Sequence, residues 1–349
     1  MSNLVQKGRY AAVSLLFNGK DVDKDIAPYL MDFTYNDGYS GQGDDITIQL
    51  DDRDRKWIKE WVPHDGDEIK ADILTYHWDK QGEKLKLPCG KFYLKSFTYG
   101  GMPDTITMEA SALPVEGNKS KQEQRSKSWE KVQLKTVAAE IAKRAKLSLV
   151  YEASSNPSYE RLDQTEQTDF EFLLGIAVKE GITLKVSGAK LVLFNEEKFE
   201  KAAAAFDIVY GKDDVLSYDF ESNSENAAYG SCEVVYTIPK SKKEPAKTVK
   251  GIYKLPKAGS LPVLRVNKSV ETVAEANRLA KNSLREQNKK AGRARLTLSG
   301  HTRYAAGLTV NIKGWGYFDG KYIIEAVNHR ISAAAPYTVD LDIRKVLGW

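Results

Sequence analysis

YERLDQTEQTDFEFLLGIAVKEGITLKVSGAKLVLF, residues 159–194, packs three structural signals into one stretch. Phe170, Leu173, Leu174 and Ala177 or Val178 fall on one helical face, with acidic residues ahead of them. Gly181 stops that helix, and ITLKV and KLVLF then alternate at period two around Ser187-Gly188, the pattern of a hairpin. By side-chain chemistry this is a packing module without catalytic equipment.

Working outward, LKTVAAEIAKRAKL places Leu134, Val137, Ile141 and Ala145 on or near one helical face, and LSLVY reads as a short strand. The polar run EGNKSKQEQRSKS, 116–128, marks a boundary or exposed loop, its basic residues diluted by glutamate and glutamine. Residues 116–200 therefore form a small α/β domain ordered helix, strand, helix, hairpin.

The flanks are β-patterned. RYAAVSLLF ends at the Asn18-Gly19 turn, two acidic-turn segments follow, and ITIQLDD, EIKADILTYHW, GKFYLKSFTYG and DTITMEASAL alternate between Gly/Pro/Asp turns. About five or six strands without long helices predict an antiparallel barrel or sandwich over 1–115. After 201, FDIVYG, VLSYDF and SCEVVYTIP are strands, 239–250 is a lysine-rich loop, and 269–291 is the longest helix candidate. RARLTLSG, GLTVNI, YIIEAVNHRI and TVDLDIRKV complete a second barrel over 201–349, with the helix packed on it or joining two parts of its sheet. The fold class expected is mainly β with an α+β insert.

Charge divides unevenly. Residues 1–115 carry 14 Lys+Arg against 19 Asp+Glu, and residues 201–349 carry 24 against 15. Opposite ends of opposite sign suit head-to-tail contact between subunits or contacts with different partners; solvation of separate surfaces explains them equally well. No apolar run reaches the roughly 18 residues of a membrane span, and MSNLVQKGRY lacks a signal-type stretch. The two cysteines, Cys89 and Cys232, are read as reduced thiols.

Enzymatic signatures are absent from the letters: no H-E-x-x-H, G-x-S-x-G, Walker or dinucleotide loop. Asp51, Asp52 and Asp54 are interleaved with Arg53, Arg55 and Lys56, which suits a solvated turn better than a metal cluster. Asp213/Asp214, His64, His77, His301 and His329 read as turn, surface or structural residues. Catalytic, cofactor and metal residues are expected to be none, and the chain is expected to work by presenting surfaces.

The segments KSWEKVQLKTVAAEIAKRAKLSLVY and DQTEQTDFEFLLGIAVKEGITLKV resemble the phage late control protein D family, the baseplate hubs of contractile tails, phage-tail-like bacteriocins and other contractile injection machines. The matching positions are Lys127 and Trp129, Ala142 or Ala145 with Leu147, then Gln164, Thr168, Asp169, Phe172, Leu173 and Gly181. GKFYLKSF with GMPDTITMEASA resembles the ending of that family's first barrel. AAGLTVNIKGWGYFDGKYIIEAVNHRIS resembles its last-barrel signature, through Gly307, Gly314, Gly320, Tyr322, Ile324 and His329.

The resemblance implies two tail-tube-like antiparallel β-barrels flanking the α/β domain, and a homotrimer that adapts a hexameric tail tube or tube-initiator protein to a trimeric spike. Inner baseplate proteins and a tape-measure protein would be further partners, and DNA would only pass through the channel, whose lumen is expected to be polar. It also implies synthesis in the bacterial cytoplasm, incorporation into a baseplate and release by host lysis, with no membrane anchor. No lysozyme-like segment or needle repeat is seen, so cleavage is not implied and the spike is expected to be a separate chain. The alternatives are another structural tube or baseplate protein, or a β-rich polysaccharide hydrolase.

Overall fold

In the computed structural model, residues 8–41, 43–114, 117, 119, 122–221, 228–238 and 246–349 are described. Strands dominate, and thirteen of them join in one sheet that runs through both ends of the chain. The expected fold class, mainly β with an α+β insert, is what the chain adopts.

That sheet contains the same six-stranded unit twice. In the first unit the spatial order is Leu30–Gly38, Asp45–Asp51, Thr105–Ser111, Lys84–Gly100, Glu68–Tyr76, Tyr10–Phe17. In the second it is Val215–Glu221, Arg293–Ser299, Thr338–Lys345, Gly320–Ser332, Thr309–Lys313, Phe206–Val209. Strands of equal rank in the chain occupy equal places in the sheet. The irregularities repeat as well: breaks in register fall between Leu30/Asp32 and Val215/Ser217, and between Leu94/Ser96 and Ile324/Ala326.

A left-handed glycine marks the same point in each unit. Gly66 donates its N–H to the Leu94 carbonyl and Gly307 to that of Ile324, both at 2.9 Å, with φ of 87° and 89°. The units differ at their first strands. Tyr10–Phe17 runs antiparallel to its neighbour, whereas Phe206–Val209 runs parallel to Thr309–Lys313.

The units meet at a seam, where Ala326–Ser332 pairs antiparallel with Asp32–Gly38. Leu30–Gly38 lies where the letters predict an acidic turn, and it is a strand. Its inward positions are Phe33, Tyr35 and Asp37, and a carboxylate in that series hides the period of two.

The middle segment carries a polar ribbon, Gln124–Gln133 with Ser158–Thr168, where the letters of 116–128 predict a boundary or exposed loop. Trp129 and Val132 are among its few buried apolar side chains, so little apolar alternation exists to read. The helices Leu134–Arg144 and Asp169–Glu180 and a sheet of Thr183–Ser187, Lys190–Phe194 and Ser148–Tyr151 follow the expected pattern. Thr168 and Glu171 form a reciprocal capping box, and Gly181 ends the second helix at φ 67°.

Within 201–349 a separate lobe leaves the second unit after Val215–Glu221. Ser231–Ile238, Lys247–Lys254 and Val263–Val266 pair with one another and carry the helix Val273–Asn288. A Cβ at Gly251 would lie 2.3 Å from the Ala276 carbonyl carbon, so this helix rests directly on strand backbone. Cys232, Val234, Leu279 and Leu284 form the lobe's own core. The lysine-rich tip at 239–245 and part of the 116–128 run lie outside the described residues.

Candidate assembly surfaces

The sequence-marked residues of the middle segment converge. Asp169, fully buried at the start of its helix, accepts two hydrogen bonds from Arg144, at 2.8 and 2.9 Å, and a third from Gln164 at 3.1 Å. Trp129 stacks on Phe172 at 5.3 Å between ring centroids and donates its indole N–H to Glu140 at 2.8 Å. Lys127 lies over the Trp129 ring and also pairs with Glu140. Leu173 fills the core below. Gly181 serves a different contact: a Cβ there would sit 2.6 Å from Asn282 Oδ1, and Asn282 donates to the Lys179 carbonyl at 2.7 Å. Middle segment and lobe therefore touch at the end of this helix.

The remaining marked residues belong to the second unit and do not join that cluster. His329 is buried at the seam, stacked on Tyr35 at 5.8 Å. Its Nε2 faces the Tyr304 carbonyl at 3.1 Å and its Nδ1 the Tyr337 hydroxyl at 2.7 Å. A carbonyl only accepts, so Nε2 carries the proton and Nδ1 accepts from Tyr337. Burial depresses the imidazole pKa to about 4. Gly307 leaves room for the Tyr39 ring, which a Cβ would approach to 2.8 Å. Gly320 packs against Lys345, and the buried Tyr322 donates its hydroxyl to the Phe318 carbonyl at 2.8 Å.

Two buried charge clusters went unread in the sequence. Arg344, wholly buried, reaches Glu196 at 2.8 Å and Glu200 at 2.7 Å from the short helix Glu196–Lys201. Arg285 of the lobe helix and Lys289 just past its end pair with the same two carboxylates, at 2.9 and 2.6 Å. Burial pushes the Glu196 carboxyl up, but Lys289 and Arg344 outweigh it and leave it below its ordinary value. Middle segment, second unit and lobe are clamped at this point. Glu196 and Glu200 sit one helical turn apart, which is visible in the letters, but the same spacing describes a solvated face.

In the second cluster Lys185 of the middle hairpin lies 2.5 Å from Asp37 and 3.4 Å from Asp44. Asp37 also accepts the Ala306 N–H at 2.8 Å. Burial raises the Asp44 pKa to about 6 against the pull of Lys185.

Over the seam, the outward face of the shared sheet is a polar groove of about 720 Å³. Thr34, Asn36, Thr47, Gln49, Thr107 and Asn328 line it together with aspartates and two arginines. Both arginines are engaged. Arg330 is held by Asp32 at 2.9 Å, and Arg295 is gripped by Asp342 through two bonds of 2.7 and 3.1 Å.

The acidic turn at 51–54 is also accounted for by protein contacts. Asp51 pairs with Arg53, Asp52 accepts the Lys56 N–H at 2.8 Å, and Asp54 accepts the Tyr29 hydroxyl at 2.5 Å. His301 faces Asp79 at 3.1 Å, and Asp213 accepts the Val209 N–H at 2.7 Å. Among the described residues no helix is long and apolar enough to cross a membrane.

This architecture is the tube-like β fold of phage tail and baseplate proteins. The tail protein from Neisseria meningitidis MC58 matches it with a TM-score of 0.70, covering 96% of this chain and 96% of that one at 15% identity. A component of the Escherichia coli type VI secretion system matches with a TM-score of 0.56, covering 90% of this chain and 73% of that one at 9% identity.

By sequence the chain is homologous to curated proteins named "probable baseplate hub protein". The one from Escherichia phage 186 is 28% identical over 182 residues, 52% of this chain and 44% of the relative. The one from Escherichia phage P2 is 27% identical over 184 residues, 51% of this chain and 43% of the relative. The chain therefore spans less than half the length of the curated relatives it matches. No model of a known protein family matches it.

Proposed function

We propose that this chain is a structural, non-enzymatic baseplate hub, in which three copies adapt a six-fold tail tube to a three-fold spike. The reading is carried by the doubling of one six-stranded unit in a single chain, because three such chains present six similar units. A surface with six similar positions suits a hexameric tube, and its three-fold repeat suits a trimeric spike.

The polar groove over the seam is the natural lining of the central channel. Its arginines are neutralised by neighbouring aspartates, and a translocating phosphate backbone gains affinity mainly from free cations. A lining without them lets a polyanion or a tape-measure protein slide without being held. The inserted middle segment and the lobe leave the shared sheet at strand ends and supply surface for inner baseplate proteins. Assembly into a tail-like particle made in a bacterial cytoplasm and released by lysis follows from the same reading.

Electron cryomicroscopy of the intact particle tests it. Three copies between tube and spike, with Asn36 and Asn328 facing the axis, are expected. A different copy number, or a position away from the axis, overturns the proposal.

A further inference from the structure

The positive surplus of residues 201–349 sits in one place. Residues 228–291, the lobe, carry 14 Lys+Arg against 5 Asp+Glu, and the rest of 201–349 carries ten of each. The helix side of the lobe uses its cations within the chain. Arg278 reaches Glu180, Lys281 reaches Glu197, and Arg285 and Lys289 reach Glu200 and Glu196. The sheet side keeps cations free. Arg265, its side chain 85% exposed, comes only within 3.9 Å of Glu233, and Lys254 and Lys268 make no ion pair among the described residues.

Cys232, Val234, Val249 and Leu264 turn towards the lobe helix, so alternation turns Glu233, Val235, Lys250, Ile252, Val263 and Arg265 the other way. On that open face Val235, Ile252 and Val263 are 38%, 54% and 50% exposed. One strand edge is bare as well. Lys247–Lys254 pairs along the whole of Ser231–Ile238, but Val263–Val266, on the other side, reaches only Ser231–Val234. Among the described residues no strand lies beside Val235–Ile238 on that side. A groove of about 610 Å³ opens there, lined by Val235, Tyr236 and Thr237 and by Arg265, Val266 and Asn267.

We infer that this groove takes an extended, acidic segment of another protein, added as a strand along Val235–Ile238 in line with Val263–Val266. Main-chain hydrogen bonds to the bare edge supply affinity. Arg265 and Lys268 meet the segment's carboxylates, and Val235 gives it an apolar contact. Nucleic acid fits the surface less well. The open face offers no aromatic ring among its described residues for a base to stack on, and Glu233 stands in its middle. The ring that lines the groove, Tyr236, packs against the helix core. Within the hub reading the partner is an inner baseplate protein, and the inference rests on that reading for the partner's source alone; the groove and its charge belong to the lobe.

The test uses a fluorescein-labelled peptide of alternating glutamate and valine, about ten residues long, titrated with the purified full-length protein and read by fluorescence anisotropy. It is expected to bind roughly tenfold or more tighter than its lysine–valine counterpart, and to weaken as salt rises. Arg265→Glu with Lys268→Glu changes two exposed side chains outside the lobe's core and is expected to weaken binding roughly tenfold. In an added strand only every second N–H faces the edge it joins. Methylating either the valine or the glutamate amides of the peptide is therefore expected to weaken binding roughly tenfold for one set and little for the other.

A peptide that binds no better than its lysine counterpart, a charge reversal without effect, or methylation that weakens neither set overturns the inference. Duplex DNA that displaces the peptide at equal concentration assigns the surface to nucleic acid and overturns the protein partner. Self-association that slows the amides of 235–238 in hydrogen exchange, while the peptide does not compete with it, makes a second copy the occupant and overturns it too. None of these readouts depends on copy number or on a place in a particle. Their failure leaves the hub reading standing, and a chain found away from the axis leaves the groove standing.

Discussion

Arg344 and Glu200 meet 2.7 Å apart inside the protein, one from the last strand of the shared sheet and the other from a six-residue helix beyond the middle hairpin. Arg344 is fully buried, and Glu196, Glu325 and the lobe's Arg285 and Lys289 complete the cluster. Arg344→Met leaves Glu196 and Glu200 with fewer cations in a desolvated site. A loss of about 3–5 kcal/mol is expected, measured by urea denaturation, with limited proteolysis opening the lobe before the sheet.

Asp44 gives a pH signature. Its folded pKa of about 6 lies above its ordinary value because burial disfavours the anion. The folded state then binds a proton that the unfolded state has released, so this group favours folding at low pH. That contribution fades as pH rises through about 6. Asp44→Asn is expected to raise stability at pH 7 by about 1–2 kcal/mol and to flatten the dependence between pH 4 and 6. Denaturation midpoints across that range check both.

His329 acts with the opposite sign. Its folded pKa of about 4 lies below that of an unfolded histidine, so acid favours the unfolded chain. Stability is expected to fall as pH drops from about 6.5 towards 4. His329→Phe removes that slope but strands the Tyr337 hydroxyl and the Tyr304 carbonyl, at about 1–3 kcal/mol for each unpaired group. A variant that is less stable at pH 7 yet less acid-sensitive is the expected result.

Asp169→Ala removes the acceptor shared by Arg144 and Gln164. Arg144 keeps Glu140 and some solvent, so a loss of about 2–4 kcal/mol is expected, below that of a wholly buried pair. Hydrogen exchange should quicken in 124–180 while the seam strands stay protected. Equal loosening everywhere would contradict a local role.

The polar groove predicts a gain of function. Asp32→Ala, Asp340→Asn and Asp342→Ala together free Arg330 and Arg295, both of which Asp340 also attracts, while breaking exposed ion pairs worth about 0–1 kcal/mol each. The triple variant is expected to fold normally and to bind duplex DNA weakly, with an affinity that falls steeply with salt. Fluorescence anisotropy measures this; no binding at low salt would remove the groove's neutralised arginines from the argument.

Much of the fold was legible because it is written in alternation and in end signals. Ile46, Ile48 and Leu50 point inward as their spacing requires, and Thr168 and Gly181 bracket their helix. What escaped were segments whose buried positions are polar. Leu30–Gly38 turns Asp37 inward, and Arg344 directly follows Ile343 where alternation would return it to solvent. A buried charge is recognisable only when its partner is known, and those partners come from 140 to 150 residues away. The doubling was visible as architecture but not as repeated letters, because the two units share hydrogen-bond geometry: Gly66 and Gly307 match, whereas Tyr99 and His329, at equal distance from the matching breaks after Leu94 and Ile324, do not.

The seam between Asp32–Gly38 and Ala326–Ser332 changes the arithmetic of building a ring from such units. In the proposed three-copy ring every second junction closes as the polypeptide folds, at the effective concentration of a tethered segment and without a diffusional encounter. A circle of six units then needs three meetings between molecules instead of six. The two units of one chain also reach those meetings with their register already set by the seam.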